Sequence, residues 1–224
     1  MQEIDFKNVT VSGDTRFDRV FAISQQNNSL DFIEAFVRNQ YTLVAGSTWP
    51  GDDELLVKYI NDDPGMDERY IIAPHNINEK AIRELKDSIK KKTVLYSEKE
   101  PTENARVFIV DTIGILNKIY SYGDVAYVGG GFGKSGIHNL LEPAAFGCPL
   151  IIGPNYQKFR EAVDLVDNRA CEVITDQHAL KQCLDKLRSD ESLRLKKGRT
   201  AKSYVQENTG ATKIIMDYMK HILK

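Results

Sequence analysis

Between residues 129 and 143 the chain reads Gly129-Gly130-Gly131-Phe132-Gly133-Lys134-Ser135-Gly136-Ile137-His138-Asn139-Leu140-Leu141-Glu142-Pro143, directly after the apolar run Val125-Ala126-Tyr127-Val128. A short apolar run that ends in glycines, followed by a polar pair opening a helix-like segment, is how an α/β sheet delivers backbone amides to an anionic ligand. The expected chemistry is phosphate or nucleotide binding. Gly129, Gly130 and Gly131 let backbone approach a ligand closely, and Gly133 and Gly136 suit positive φ. His138 and Asn139 open a segment whose amides face phosphate, and Glu142, one turn inside, can accept from vicinal ribose hydroxyls. The same residues also fit a tight turn in which Glu142 is simply a helix N-terminal charge. The stretch has no lysine followed by Ser/Thr at Walker spacing and no clean GxGxxG, which disfavours a P-loop or an NAD site.

Three further loops follow short apolar runs and are enriched in small or polar residues. Gly46-Ser47-Thr48 could place hydroxyl and amide groups on a phosphate, or act as a helix N-cap. His75, in Pro74-His75-Asn76, reads either as a base or phosphate contact or as a solvated group. Asp111-Thr112-Ile113-Gly114 is open in the same way, since Asp there is also a good cap. No Gly-x-Ser-x-Gly and no His/carboxylate cluster at metal-ligand spacing is present, so the residues suggest neither a catalytic triad nor a metal site, and no cofactor.

These loops need a scaffold, and the periodicity supplies one. Strands are expected near 41–45, 70–73, 93–96, 106–110, 125–128, 150–152 and 172–174, and helices near 31–39, 55–60, 81–89, 116–120 and 159–166. From Gln177 the pattern is helical almost to the end, with breaks near Ser189 and Asn208-Thr209-Gly210. Asn8 to Asp18 reads as a lead-in strand and a turn at Gly13-Asp14. Short apolar strands alternating with helices imply right-handed crossovers and a parallel sheet covered on both faces. The expected fold class is α/β, a Rossmann-like doubly wound domain over residues 1–224, with 1–18 as a linker and a helical tail packed across the sheet or on a neighbouring domain.

Composition sets the outer bounds. With 224 residues, 42% hydrophobic, 28% charged and a net charge of −2, the chain can bury a full core and carries no basic footprint for nucleic acid. Its longest apolar runs fall short of the roughly 20 residues a spanning helix needs, and no secretory leader is visible. Cys148, Cys171 and Cys183 lack CxxC spacing and read as buried thiols in a reducing compartment.

Asn8-Val9 through Gly13-Asp14-Thr15-Arg16-Phe17-Asp18, Gly46-Ser47-Thr48, Ala73-Pro74-His75, Asp111-Thr112-Ile113-Gly114 and Gly129-Gly130 with Gly136-Ile137-His138-Asn139-Leu140-Leu141-Glu142-Pro143-Ala144-Ala145 together resemble the C-terminal half of 3-deoxy-D-manno-octulosonic acid (Kdo) transferases. The His-Asn-x-x-Glu-Pro-Ala-Ala segment is the most specific part. The resemblance implies a GT-B glycosyltransferase whose C-terminal domain binds CMP-Kdo, while an N-terminal domain binds the lipid A precursor and carries the catalytic glutamate. It implies inverting, metal-independent transfer in lipopolysaccharide biosynthesis at the cytoplasmic face of the inner membrane of Gram-negative bacteria. The membrane would be met only through the full-length protein, and this chain would be a soluble donor half, inactive alone. It implies donor contacts from Gly46, Ser47, Thr48, Pro74, His75, Ile113, Gly114, Gly129, Gly130, Gly131, His138 and Asn139, with Glu142 on the ribose. The chain departs from the family at Pro74-His75-Asn76, where many members have Pro-Arg-His, and at Ile113 and Ile115, which replace Met and Glu. A UDP-sugar glycosyltransferase, a nucleotide-sugar epimerase of the same fold, and a non-catalytic interaction domain are the alternatives.

Overall fold

The computed structural model describes residues 9–63, 67–98 and 104–223. Its centre is one sheet of seven strands: β1 (Thr42–Thr48), β2 (Arg69–Pro74), β3 (Thr93–Leu95), β4 (Val107–Ile109), β5 (Val125–Val128), β6 (Leu150–Ile152) and β7 (Cys171–Val173). All pairings are parallel and the order is β3-β4-β2-β1-β5-β6-β7. From β1 the chain adds β2, crosses to the edge strand β3, inserts β4 between them, and then returns to β5 on the other side of β1 to build outward. That reversal leaves a crevice at the carboxyl ends of β1 and β5, where such sheets bind ligands.

Ten helices flank the sheet among the described residues: α1 (Thr15–Ser24), α2 (Asp31–Val37), α3 (Pro50–Asp62), α4 (Glu79–Ser88), α5 (Leu116–Ile119), α6 (Leu141–Phe146), α7 (Arg160–Asp167), α8 (Gln177–Ser189), α9 (Glu191–Glu207) and α10 (Ala211–Ile222). Alternation along each strand separates two cores. Val44, Ile71, Phe108, Ala126, Val128, Leu150 and Ile152 face one side with Phe17, Ile33, Phe36, Leu141, Ala144, Leu165 and Val205. Leu43, Ala45, Tyr70, Ile72, Val125, Tyr127 and Ile151 face the other with Leu56, Ile60, Ile82, Leu180, Leu184 and Leu187. The strands are therefore buried on both faces, which is why they read as continuous apolar runs.

Side-chain caps set several helix starts. Asn78 accepts from the Ala81 amide at 3.1 Å, Asp176 from Ala179 at 2.8 Å and Asp190 from Leu193 at 2.8 Å. Asp14 does the same for Arg16 at 2.8 Å, and this corrects the expected lead-in strand: Gly13-Asp14 is the cap of α1, and no strand lies in 9–14. Asn8, the first residue of that expectation, lies outside the described residues. The tail is helical as expected. α9 lies against α6, and Asp18 caps α10 by accepting from Gly210 and Thr212 amides at 2.6 and 2.8 Å. α10 rests on α1 rather than on the sheet and leaves Ile214, Met216, Tyr218, Met219 and Ile222 exposed. Cys148 and Cys171 are buried and Cys183 is half-buried, all as free thiols, and burial pushes Cys148 and Cys183 up to about 12. Among the described residues no helix is long and apolar enough to cross a membrane.

Two of the glycines after β5 hold backbone against backbone. A Cβ on Gly129 would sit 2.3 Å from the Ser47 carbonyl oxygen, and one on Gly131 would sit 2.6 Å from Gly153 N and Cα. Gly131→Ala should thus lower Tm by about 5 °C, because rigid backbone cannot yield to the methyl group. Gly133→Ala, whose new methyl meets nothing nearer than 3.4 Å, should stay within about 2 °C of wild type. Equal melting temperatures for the two variants would contradict this packing role.

Candidate functional site

The crevice begins with an irregularity in β1. The β1–β2 register shifts between Gly46 and Thr48, and Ser47 takes φ 53°, a left-handed conformation costly for a non-glycine residue. The kink buries Thr48 and turns the chain into Trp49 at the start of α3. The Thr48 carbonyl accepts from the His75 amide at 2.8 Å, joining the ends of β1 and β2. Gly46 lies under the Tyr120 side chain, whose hydroxyl would be 1.9 Å from an added Cβ.

Asp52, in the first turn of α3, is 1% exposed. Its Oδ2 accepts from the Trp49 amide at 2.9 Å and from the Gly130 amide at 2.8 Å, and its Oδ1 accepts from the Tyr127 hydroxyl at 2.6 Å. One carboxylate thereby ties the β1–α3 turn, strand β5 and the glycine-rich loop into a unit. The Gly129 amide donates to Gly46 O at 2.9 Å, Gly133 to Gly130 O at 2.9 Å, and His138 to Gly129 O at 3.1 Å. Asn155 braces the loop from the β6 side, donating its backbone N–H to Gly131 O at 2.9 Å and its amide side chain to Gly133 O at 3.1 Å.

Several local expectations change as a result. The amide of His138 is already donated, so it does not face a ligand, and the helix begins at Leu141 rather than at the His138-Asn139 pair. Asn139 serves that helix instead: its Oδ1 accepts from the Leu141 amide at 3.1 Å and its Nδ2 donates to Glu142 Oε1 at 3.1 Å. Burial pushes Glu142 upward, while Asn139 and the more distant Arg19 pull it down. Positive φ falls on Gly130 and Gly136, not on Gly133. Asp111 caps no helix; it accepts from the Ser97 amide at 2.9 Å. Ile113 is 86% exposed on the loop after β4, beyond β2, with Gly114 beside it.

The structure brings His75 and His138 together through Trp49, a residue without a sequence-level role. The rings stack: Trp49 to His75 at 4.7 Å and 17°, His75 to His138 at 4.3 Å and 26°, Trp49 to His138 at 6.2 Å and 10°. The three come from the loops after β1, β2 and β5, adjacent strands at the switch point. The Trp49 indole N–H donates to His138 Nε2 at 2.8 Å. Burial lowers the His138 pKa, and neighbouring His75 lowers it further. Beside the column lies a cavity of about 210 Å³ lined by Trp49, Gly51, Asp52, Gly130, Lys134 and Ser135, among others. A larger one of about 560 Å³ runs between α3 and α4, but it lacks the convergence of three strand ends. Among the described residues no group of His, Cys, Asp and Glu is arranged to hold a metal.

Sequence comparison bears on this geometry. No family model matches the chain. Kdo transferase of Haemophilus influenzae is 28% identical over 190 residues, covering 81% of this chain and 44% of the relative. Kdo transferase of Aquifex aeolicus is 33% identical over 128 residues, covering 56% of this chain and 35% of the relative. The chain is a relative of the Kdo transferases. It spans less than half the length of these curated Kdo transferases. Among solved structures, the C-terminal CMP-Kdo binding domain of WaaA from Acinetobacter baumannii aligns with TM-score 0.66 and 21% identity, over 85% of this chain and 97% of that one. MnaA of S. aureus with UDP aligns with TM-score 0.70 and 14% identity, over 99% of this chain and 56% of that one. The fold is thus that of a GT-B C-terminal domain, as the sequence led us to expect.

Asp52 was legible only as an acidic residue in a first turn, yet it carries three hydrogen bonds. Asp52→Asn can keep its oxygen on the two amides only by turning its N–H₂ to the Tyr127 hydroxyl, whose buried O–H then loses its acceptor, so we expect a loss of about 1–3 kcal/mol in urea unfolding; a loss below about 0.5 kcal/mol would remove it from this role. Its neighbour Asp53 is half-buried, and desolvation pushes its pKa up to about 6, with Thr48 opposing the rise and Asp52 adding to it. A carboxyl whose folded pKa exceeds its unfolded value is favourable while protonated and costs stability as pH rises from about 4 through 6. Asp53→Asn should therefore raise stability above pH 6 by on the order of 2 kcal/mol and converge with wild type below pH 4. Thermal melts across pH 3.5–8 read this, and a gain that persists at the acid end would contradict it.

Proposed function

We propose that this chain is the donor-binding half of a Kdo transferase and holds CMP-Kdo in the crevice between the loops after β1, β2 and β5. The observation that carries this reading is a coincidence of position. The segment most specific to the family by sequence starts at the switch point: Gly136 lines the cavity there and His138 joins the ring column. Sequence similarity to Kdo transferases over 81% of the chain supports the same assignment. In this reading Glu142 accepts from the ribose hydroxyls, with Asn139 holding its carboxylate in place. Ser47 and Thr48 with Gly129, Gly130 and Gly131 shape the phosphate side, Gly46 backs that wall beneath Tyr120, and Pro74 sets the position of His75. Ile113 and Gly114 offer an apolar edge to the base.

The acceptor, a lipid A precursor, and the catalytic base belong to a second domain under this proposal. The complete enzyme then works in lipopolysaccharide synthesis at the cytoplasmic face of the inner membrane, and this chain alone binds donor and transfers nothing. The likeness to MnaA with UDP over nearly the whole chain favours one other reading, a uridine nucleotide sugar as donor.

Thermal unfolding with CMP and UMP separates the two. At 100-fold over Kd a single-site ligand stabilises by about 2.7 kcal/mol, or roughly 5–10 °C for a domain of this size. A rise with CMP and not UMP is expected; the reverse selects the uridine reading, and no rise with either overturns both. In calorimetry Glu142→Gln should weaken CMP binding by about tenfold with little change in Tm. Unchanged affinity would take Glu142 out of the ribose role.

A further inference from the structure

We propose that Trp49 is a positioning residue which holds His138 as the neutral Nδ1–H tautomer, so that the crevice offers its ligand a fixed, uncharged N–H donor. The inference rests on the proposed function for the identity of the ligand, but its first observation does not. An indole N–H is only a donor, so the atom it meets must carry a lone pair. That atom is His138 Nε2, at 2.8 Å, and the two ring planes lie 10° from parallel. A lone pair on Nε2 puts the proton of the neutral ring on Nδ1.

Charge considerations act in the same direction. His75 stacks on the other imidazole at 4.3 Å, and two imidazolium rings at that separation would repel strongly. Protonating His138 would also set an Nε2–H against the Trp49 N–H, breaking the bond and leaving two donors facing each other. The carboxylate of Asp52 acts the other way and favours the charged ring, but burial and His75 outweigh it, and its oxygens are already taken by two amides and the Tyr127 hydroxyl. The Trp49 backbone is anchored, because its N–H is one of those two amides, and the indole is held by its stacking on His75. The lock is therefore assembled from the α3 turn outward: Asp52 fixes the Trp49 backbone, the indole fixes the imidazole, and the imidazole directs Nδ1–H.

Among the described residues nothing accepts from His138 Nδ1. The donor left over suits an oxygen acceptor of the ligand, a phosphate or carboxylate oxygen of the nucleotide sugar. A neutral donor aimed by a fixed partner recognises such an oxygen by direction rather than by net charge.

The test begins with the unliganded protein. In long-range ¹H–¹⁵N spectra of ¹⁵N-histidine protein at pH 8, His138 Nε2 should show the shift of an unprotonated nitrogen and Nδ1 that of a protonated one. A protonated Nε2 would overturn the inference whether or not CMP binds. Trp49→Phe keeps an aromatic ring and removes the N–H; the two nitrogens should then move toward averaged shifts, and CMP should bind about tenfold more weakly. Altered shifts with unchanged affinity would leave Trp49 no positioning role.

His138→Asn supplies an N–H donor near Nδ1 that does not depend on the indole. On that background Trp49→Phe should cost less than twofold, and a full tenfold loss there would mean that Trp49 acts by packing alone. Should Trp49→Phe fail to fold, the wild-type nitrogen shifts still decide the tautomer. Should wild type bind neither CMP nor UMP, the proposed function fails while the tautomer is still read.

Discussion

The crevice depends on one buried carboxylate. Asp52 has almost no contact with water, and a charge in that position is tolerable only when each oxygen is hydrogen-bonded. Its three partners come from the turn after β1, from β5 and from the loop after β5, so the requirement to satisfy one anion becomes a requirement on the geometry of three segments. Gly130 can donate to it only because Gly129 packs against the Ser47 carbonyl with no side chain between them. The glycines that look like a ligand cradle are consumed in building the wall, and the wall then presents side chains to the crevice. This changes the physical character of the site from a nest of free amides to a column of stacked rings beside a small polar cavity.

The strained Ser47 fits the same picture. A bulge at the end of a central strand lets the backbone change direction at the point where a ligand must approach. Its cost is borne by the surroundings, since Thr48 is anchored through the His75 amide and Trp49 through Asp52. Strain held by such anchors is common at binding sites.

The α/β class and the strand positions were legible because parallel strands buried on both faces leave unbroken apolar runs, as in Tyr70-Ile71-Ile72-Ala73. The lead-in region was misread because Gly13-Asp14 signals a turn and a helix cap equally well, and only tertiary contacts of α1 decide between them. His75 and His138 were visible as candidates but not as partners, since 63 residues and a strand crossing separate them. Trp49 and Asp52 were missed for a related reason. Pro50-Gly51-Asp52-Asp53 is an ordinary helix start in sequence, and the role of Asp52 is created by Tyr127 and Gly130, which join it only across the sheet. What local pattern encodes is readable; a hydrogen bond that spans 78 residues is not.

Under the proposed function, the way Asp52, His138 and Glu142 are engaged suits holding a donor more than moving a proton. A general base needs a lone pair that is free and aimed at the substrate. Asp52 has given its oxygens to three donors, His138 Nε2 is occupied by the indole, and one oxygen of Glu142 is held by Asn139. Rigid, pre-satisfied groups favour orientation of a ligand over proton transfer, because a structural bond would have to break before either Asp52 or His138 Nε2 could take a proton. The same commitments that make the crevice stiff thus agree with the proposed function, in which the catalytic base is supplied by a second domain.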